Sequence, residues 1–392
     1  MAKKLTVAEK RKDLRILYSL TTLFALAIAL PAYIQSSFIS IFVPVKNVGW
    51  FYVLAMATTV VAINFYPGWI KKYSNYRTAV ALFIVYPLSI IAFITAPWPW
   101  WALLSFIIMI ISSQLLTINM DLFVERFTGN AVTGWVRTIY FTLINLAWMI
   151  SALLISGAVG QNDYWIIYAL AVLMTLPPLA VFLLQRHRFQ EHIKYNHHPT
   201  LRTLKNIWRN KNLSNIFVVA FLLQLFYSIA VIYFPIYLHQ TLGFSWSVLG
   251  LVFVVMILPF ILLEIPAGIL ADKYWGEKEI MVFGFIILVL SVLAITFCHS
   301  PSIVFWGALL FASRCGAALV EAMRETYFFK KVDVEQVDYI NFFRNTTPLG
   351  YLAGALLGVI ILSCWSLPVL FFILGIILIS GIYFAARLED TK

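Results

Sequence analysis

The residues of this chain that could do chemistry are charged and polar side chains that interrupt long apolar runs. Arg314 stands in the middle of one such run, and Gln114 occupies the equivalent place 200 residues earlier. An arginine at the centre of an apolar membrane-spanning helix costs about 3 kcal/mol on insertion scales, so it should face protein or a watery cavity. Two roles stay open for Arg314. It could bind an anionic or zwitterionic solute, or it could form an internal salt bridge with Glu264 or Glu321.

Three carboxylates are candidates for carrying protons. Glu264 lies deep in an apolar run, where burial disfavours the charged form and suits reversible protonation. Glu321 is the second candidate, and Asp121, which falls 200 residues before it, is the third. The competing interpretation is that Glu264 bonds to the turn that follows its run, and that the other two carboxylates simply reach water.

A third set of side chains could orient a solute. These residues are polar or aromatic and sit on the first and seventh apolar runs: Tyr33, Gln35, Gln224, Tyr227 and Tyr237. Each could equally be a packing residue or an aromatic residue at the membrane interface.

The elements that must position these residues are apolar helices. The chain has 392 residues, of which 62% are hydrophobic and 11% charged, whereas a soluble domain carries roughly a quarter charged residues. The apolar residues form runs of about twenty, the length that crosses a bilayer, and inside lipid such runs must be helical because their backbone groups need internal partners. The fold class is therefore an all-α integral membrane protein with twelve transmembrane helices near 16–38, 48–70, 78–96, 100–122, 138–158, 164–184, 215–238, 246–270, 279–297, 303–323, 342–362 and 367–386.

The basic residues are concentrated on one side of the predicted membrane topology. The formal net charge is +11, which on its own could suggest a nucleic-acid partner. However, if both termini are cytoplasmic, all of the 28 Lys and Arg residues except Lys46 and Arg314 fall on the cytoplasmic side. This positive-inside bias predicts a multi-pass protein of the cell membrane whose basic loops face the lipid bilayer, with no nucleic-acid partner.

The chain divides into two similar halves. A polar, basic segment at 185–212 separates an N-terminal six-helix half, 1–184, from a C-terminal half, 213–392. The end of the first run, Pro31-Ala-Tyr33-Ile-Gln35-Ser36, is similar to Pro235-Ile-Tyr237-Leu-His239-Gln240 in the seventh run. Two halves of the same orientation are parallel repeats, related by an axis along the membrane normal.

A short charged turn follows the second and the eighth runs. The second copy reads Gly268-Ile-Leu-Ala-Asp272-Lys273-Tyr-Trp-Gly276-Glu277-Lys278. Here the chain resembles the major facilitator superfamily over its whole length, because that family carries twelve spans, a basic central loop and a similar turn in each half. The turn departs by one inserted residue and by Glu277 where a base is usual. The first copy, which starts at Gly68, has Lys72 at the aspartate position.

The resemblance implies a role for each part of the turn. In the family this turn clamps the two halves together on the cytoplasmic side, so Asp272 is expected to hold an inner gate, with Arg324 and Arg344 as candidate partners. A simpler interpretation is that the turn only anchors the topology. The family also lines its central cavity with helices one, four, seven and ten, which would bring Arg314 and Gln114 together.

The sequence therefore predicts a secondary transporter of a small solute, coupled to protons and working by alternating access. The alternative is a membrane sensor or partner-binding scaffold of the same fold that does not transport. No enzyme motif, cofactor site or metal site is expected. The pair His197-His198 lacks further ligands at metal-binding spacing, and the three cysteines have no such spacing either.

Overall fold

The computed structural model of the chain describes residues 7–127, 133–158, 164–189, 205, 207–298, 302–332 and 337–389. In this part of the chain the regular secondary structure is helical, and no strand occurs. We number the long helices in chain order: α1 Val7–Ala32, α2 Val45–Tyr73, α3 Asn75–Ile94, α4 Pro99–Phe127, α5 Thr133–Ala158, α6 Trp165–Leu184, α7 Lys211–Ile236, α8 Trp246–Lys273, α9 Glu277–Phe297, α10 Ile303–Lys331, α11 Val337–Cys364 and α12 Leu367–Ala386. Two short helices, Gln35–Ile39 and Arg186–Phe189, and a π-helical turn, Tyr237–Thr241, lie between them.

The predicted spans are confirmed as helices. Among the described residues, eleven helices are long and apolar enough to cross a membrane, and the apolar part of α5 is the shorter segment Thr142–Gly157. The bounds differ most in α1 and α10. The helix α1 ends at Ala32 and not near residue 38, and α10 continues to Lys331 instead of ending near 323.

The first helix of each half loses its regular α-helical form after a proline. Proline removes a backbone donor and crowds the preceding turn of a helix, so helices kink or end near it. After Pro31, α1 ends and the chain re-forms as Gln35–Ile39, whereas after Pro235 the helix α7 widens into the π turn, where Leu242 N donates to Tyr237 O at 3.0 Å. The similar sequences at the ends of the first and seventh runs therefore both mark a break in a helix.

The chain forms two compact units, residues 1–42 with 61–196 and residues 43–60 with 197–392. In unit 1, α1 packs on α4, α5 and α6, and α3 packs on α4 and α6. In unit 2, α7 packs on α10, α11 and α12, and α9 packs on α10 and α12. The sequence repeat is thus also a repeat of helix packing. The domain boundaries predicted above, at 184 and 212, stay a prediction.

Unit 1 is held by aromatic packing around α3 and by one buried amide. The ring centroids of Phe24 and Phe83 lie 5.5 Å apart, as do those of Phe83 and Phe182. The Asn119 side chain of α4 is fully buried, and its Nδ2 donates to Asn75 O and Asn75 Oδ1, both at 2.9 Å. This amide fastens the turn between α2 and α3 to α4.

Unit 2 is closely packed along a stripe of glycines on α11. A Cβ atom built on Gly350 would lie 2.5 Å from Gln224 Cβ, and one on Gly354 would lie 2.6 Å from Ser228 Oγ. A Cβ on Gly358 would overlap the phenol ring of Tyr233. Small residues let two membrane helices approach closely, so this stripe is the surface on which α7 and α11 meet.

The chain after α12 is fastened to the beginning of α7 and the end of α10. Leu388 is buried, and Glu389 N donates to Asn212 Oδ1 at 3.1 Å. Lys331 Nζ lies 3.1 Å from Glu389 Oε2. Hydrogen bonds with Asn212 and Lys331, together with the lysine charge, hold the pKa of the Glu389 carboxyl below its usual value.

We predict that Gly358→Ala destabilises the protein, because its added methyl overlaps the buried Tyr233 ring. Overpacking of this kind costs about 1–3 kcal/mol, which should appear as a lower melting temperature of the purified protein in detergent. The matched control is Gly307→Ala in α10, where the Cβ meets no atom within 4 Å. Equal melting temperatures for the two variants would contradict close packing at Gly358.

Candidate substrate and coupling site

Arg314 lies on the face of α10 that packs against α7. Only 4% of the residue is exposed. Its guanidinium carbon is 4.8 Å from the ring centroid of Phe226 and 5.7 Å from that of Tyr227. A cation over aromatic rings is stabilised by about 2 kcal/mol when it is desolvated. These two rings therefore provide part of the compensation that a buried guanidinium needs.

Tyr227 also contacts the nearest carboxylate on α10. Its hydroxyl donates to Glu321 Oε2 at 2.6 Å, while Phe260 of α8 lies beside its ring at a centroid distance of 6.3 Å. Hydrogen bonds to an ionised acceptor are short and about twice as strong as neutral ones. One tyrosine thus contacts both the guanidinium of Arg314 and the carboxylate of Glu321.

The network continues toward the C-terminal end of α10. Arg324 Nη2 lies 3.7 Å from Glu321 Oε1 and 3.6 Å from Glu325 Oε1, and the Arg324 side chain is 5% exposed. Arg324 Nη1 also donates to the carbonyl oxygen of Ala220 on α7 at 3.5 Å. Arg344 of α11 is 3.2 Å from Glu325 Oε1. Arg324 is therefore a buried centre shared by two carboxylates.

Two roles were predicted for Arg314, which are solute binding and an internal salt bridge with Glu264 or Glu321. Glu321, one of its proposed partners, is held by Tyr227 and Arg324. Glu264, the other, is a half-buried residue of α8 in the same unit. Whether Arg314 serves solute binding or structure stays a prediction.

In unit 1 the corresponding polar residues are arranged differently. Gln114 is half-buried on α4, and Asp121, one of the predicted proton carriers, accepts a hydrogen bond of 2.9 Å from the hydroxyl of Tyr140 on α5. Both repeat-related carboxylates are thus bound by a tyrosine, but the tyrosine belongs to the fifth helix of unit 1 and to the first helix of unit 2. A cavity shared by Gln114 and Arg314 remains a prediction, since the two residues lie in different units.

The other predicted cavity residues are buried among neighbours of their own unit. The Tyr33 ring meets Trp148 edge-on at 5.4 Å. Gln224 lies against Gly350 of α11. Tyr237 is 1% exposed and packs on Trp306 and Phe371, at centroid distances of 5.8 and 5.4 Å. Gln35 is buried in the short helix after α1. Tyr237 is thus at least a packing residue, and a role of these side chains toward a solute is untested.

The charged turn between α8 and α9 is tightly closed. Both Tyr274 N and Trp275 N donate to Leu270 O at 2.9 Å, and Gly276 is the N-cap of α9, where its N–H reaches Glu279 Oε2 at 3.3 Å. Lys273 is exposed and Lys278 half-buried. The side chain of Asp272 lies outside the described residues, so its pairing with Arg324 or Arg344 stays a prediction.

The glycines that precede the two turns make no close approach within their own units. A Cβ built on Gly68 or on Gly268 meets no atom within 4 Å in the part of the unit that the structure describes. The lack of a side chain at these positions is therefore not required by packing inside either unit.

This turn also holds an ion pair that was not predicted from the sequence. Glu277, which stands where a base is usual, is 1% exposed and forms a salt bridge with Lys330 of α10. Both residues lie at ends of neighbouring antiparallel helices, Glu277 at the start of α9 and Lys330 near the end of α10. That placement, with opposite charges at two adjacent helix ends, was the signal available in the sequence.

Among the described residues, no group of three His, Cys, Asp or Glu side chains is placed to hold a metal ion. The three cysteines are free thiols. His197 and His198 lie outside the described residues.

We predict that Arg324→Gln destabilises the protein by about 2 kcal/mol, because Glu321 loses the cation beside it while Glu325 keeps Arg344. The control is Lys331→Gln, which breaks an ion pair with the well-exposed Glu389 carboxylate and should lower the melting temperature much less. Melting temperatures of both variants in detergent measure the difference. Unchanged melting of Arg324→Gln would mean that the buried network does not support the fold.

The comparisons with known proteins agree with this architecture. The family model of the Major Facilitator Superfamily matches residues 16–347 and, in a second match, 245–392. A crystal structure of a variant of the nucleoside transporter NupG is similar in fold, with a TM-score of 0.76 and 12% sequence identity over 96% of this chain and 100% of that chain. A search of curated protein sequences found no match. The chain therefore belongs to the Major Facilitator Superfamily and is a multi-pass membrane transporter, not an enzyme.

Proposed function

We propose that the chain moves a small solute by alternating access and couples this movement to protons through Glu321. The observation that carries the proposal is the contact of Tyr227 with both the buried Arg314 guanidinium and the Glu321 carboxylate. Ionisable residues inside membrane spans are rare and usually serve substrate or proton movement. In this site the side chain of Tyr227 contacts both a cation that can bind a solute and a carboxylate that can bind a proton.

The proposed roles follow from charge and burial. Arg314 binds an anionic or strongly hydrogen-bonding group of the solute, and Gln114 is the solute-binding candidate of unit 1. We choose Glu321 and not Glu264 as the proton carrier, because the Tyr227 hydroxyl and the Arg324 guanidinium both contact the Glu321 carboxylate. Asp121, bound by Tyr140, is the corresponding candidate in unit 1.

Two solute classes are consistent with this site. A small organic anion would use the charge of Arg314, and its apolar part would contact Phe226. A nucleoside, suggested by the fold similarity to the nucleoside transporter NupG, would use the guanidinium as a hydrogen-bond donor and the aromatic rings for stacking. The experiments below include a probe of each class.

The proposed orientation places both termini in the cytoplasm, since the basic residues are concentrated in the segments that this topology makes cytoplasmic. The turn between α8 and α9 then lies on the cytoplasmic side. There Asp272 would hold the inner gate with Arg324 or Arg344, and the turn after Gly68, which has Lys72 at the aspartate position, would contribute less.

We predict that uptake into proteoliposomes responds to a pH gradient. The probes are radiolabelled uridine, benzoate and alanine, each measured with an imposed pH gradient and without one. Accumulation of the transported probe should change at least tenfold with the gradient, and Glu321→Gln should abolish this response. Glu279→Gln, which alters the partly exposed Glu279 carboxylate on the neighbouring helix α9, should retain it. Equal uptake with and without the gradient would overturn proton coupling.

We also predict that Arg314→Gln abolishes uptake while the melting temperature stays within a few degrees of the wild type. The physical reason is that the variant removes the cation but keeps a polar, uncharged side chain. If Arg314→Gln unfolds instead, and an added Glu264→Gln or Glu321→Gln restores folding, then Arg314 is the structural partner of that carboxylate and not a solute-binding residue.

A further inference from the structure

We infer that Tyr227 is the residue that connects proton binding to solute binding in unit 2. Its hydroxyl holds the ionised Glu321 carboxylate, and its ring supports the Arg314 guanidinium. The inference rests on the proposed function. It gives Tyr227 a positioning role, in which it acts on the solute through Arg314.

The ring of Tyr227 is fixed from two sides. Phe226 of the same helix is 5.6 Å away and itself contacts Arg314, and Phe260 of α8 lies 6.3 Å away. A ring packed in this way can turn or shift only when one of its polar contacts changes. The contact that can change with conditions is the hydrogen bond to Glu321.

Protonation of Glu321 weakens this contact. The ionised carboxylate accepts the Tyr227 hydrogen bond and faces Arg324. When a proton from bulk water binds to Glu321, the negative charge disappears, and the charge-assisted hydrogen bond becomes a weaker neutral one. Tyr227 keeps its own proton throughout. The tyrosine is then held less firmly, and the position of its ring under Arg314 changes.

Among the charged groups that surround it, Glu321 is the one whose charge changes in this proposal. On α10, Arg324 retains Glu325 as a partner when Glu321 is neutral. On α11, Arg344 pairs with Glu325. Tyr351 of the same helix lies within electrostatic range of both Arg314 and Glu321. On α8, the carboxylate within the apolar part of the helix is Glu264. Loss of the charge on Glu321 therefore leaves the Arg324–Glu325–Arg344 set intact and acts mainly on Tyr227.

The described residues of unit 1 give Asp121 a different tyrosine partner, so the arrangement in unit 2 is not simply copied by the repeat. The carboxylate related to Glu321 is Asp121, and it is bound by Tyr140 of α5. The residue related to Arg314 is Gln114, which carries no charge. Only in unit 2, among the described residues, does one tyrosine contact both a buried arginine and a carboxylate.

The decisive test is the titration of the Glu321 carboxyl band by infrared difference spectroscopy on the full chain in lipid, with Glu321→Gln identifying the band. Tyr227→Phe removes one hydrogen bond from the ionised form, so the titration midpoint should rise by about one pH unit, a tenfold change in proton concentration. The matched control is Tyr233→Phe on the same helix, whose hydroxyl contacts the carbonyl oxygen of Ala355 and should leave the midpoint unchanged. An unchanged midpoint in Tyr227→Phe would overturn the inference.

A second variant keeps the test independent of folding. Replacement of Tyr227 by 3-fluorotyrosine retains the ring and strengthens the hydroxyl as a donor, so the midpoint should fall. The connection to Arg314 is tested by combining Tyr227→Phe with Arg314→Gln. Coupled residues give a joint shift that differs from the sum of the two single shifts, and a simple sum would show that Tyr227 does not connect them.

The outcome can be separated from that of the proposed function. In proteoliposomes that accumulate uridine or benzoate with the pH gradient, Tyr227→Phe should lose at least tenfold in gradient-driven accumulation, and the pH at which exchange of that probe is half-maximal should rise together with the infrared midpoint. A loss of exchange in a folded protein without any shift of this pH would place Tyr227 in direct contact with the solute and overturn its positioning role. If wild-type uptake ignores the gradient, proton coupling fails, and the infrared titration alone decides the role of Tyr227.

Discussion

A charge inside a bundle of apolar helices has to be compensated by the helices around it, and the packing of unit 2 follows from this constraint. Four ionisable residues, Arg314, Glu321, Arg324 and Glu325, occur within twelve positions of α10. The compensation comes from aromatic rings and a carbonyl oxygen of α7 and from an arginine and a phenylalanine ring of α11. The charged residues of α10 thus depend on two neighbouring helices for their compensation.

The turns that follow the second helix of each half also contain buried polar side chains, and the two halves provide different partners for them. In unit 1, the first residue of α3 is Asn75, and the buried Asn119 amide of α4 binds it. In unit 2, the first residue of α9 is Glu277, and Lys330 of α10 pairs with it. Both turns are therefore fastened to the fourth helix of their own half, one by neutral amides and the other by an ion pair.

Much of the fold could be predicted from the sequence, because hydrophobic length and charge placement are strong signals in a membrane. All twelve predicted spans contain helices, and the similar segments at Pro31 and Pro235 mark breaks in both first helices. The end of α10 was placed too early, since Arg324 and Lys330 look like loop residues until their partners on other helices are known. The individual site residues were identified by type, but their contacts were not. Nothing in the spacing of Tyr227, Arg314 and Glu321 shows that the phenol lies between the other two, because that depends on how α7 and α10 are rotated against each other. The pair Glu277–Lys330 could have been found from opposite charges at adjacent helix ends.

The segment after α12 has a consequence for how such a protein can arise. Residues 387–389 lie on Asn212 and Asn215, so the first and last helices of the second half begin and end side by side. Six helices return the chain to the side of the membrane on which it started. A half whose ends meet on one side can be copied in tandem and joined by a short polar segment without rearranging either copy. Because Glu389 is bound to Asn212, the two ends of this half lie side by side, which suits tandem gene duplication followed by fusion.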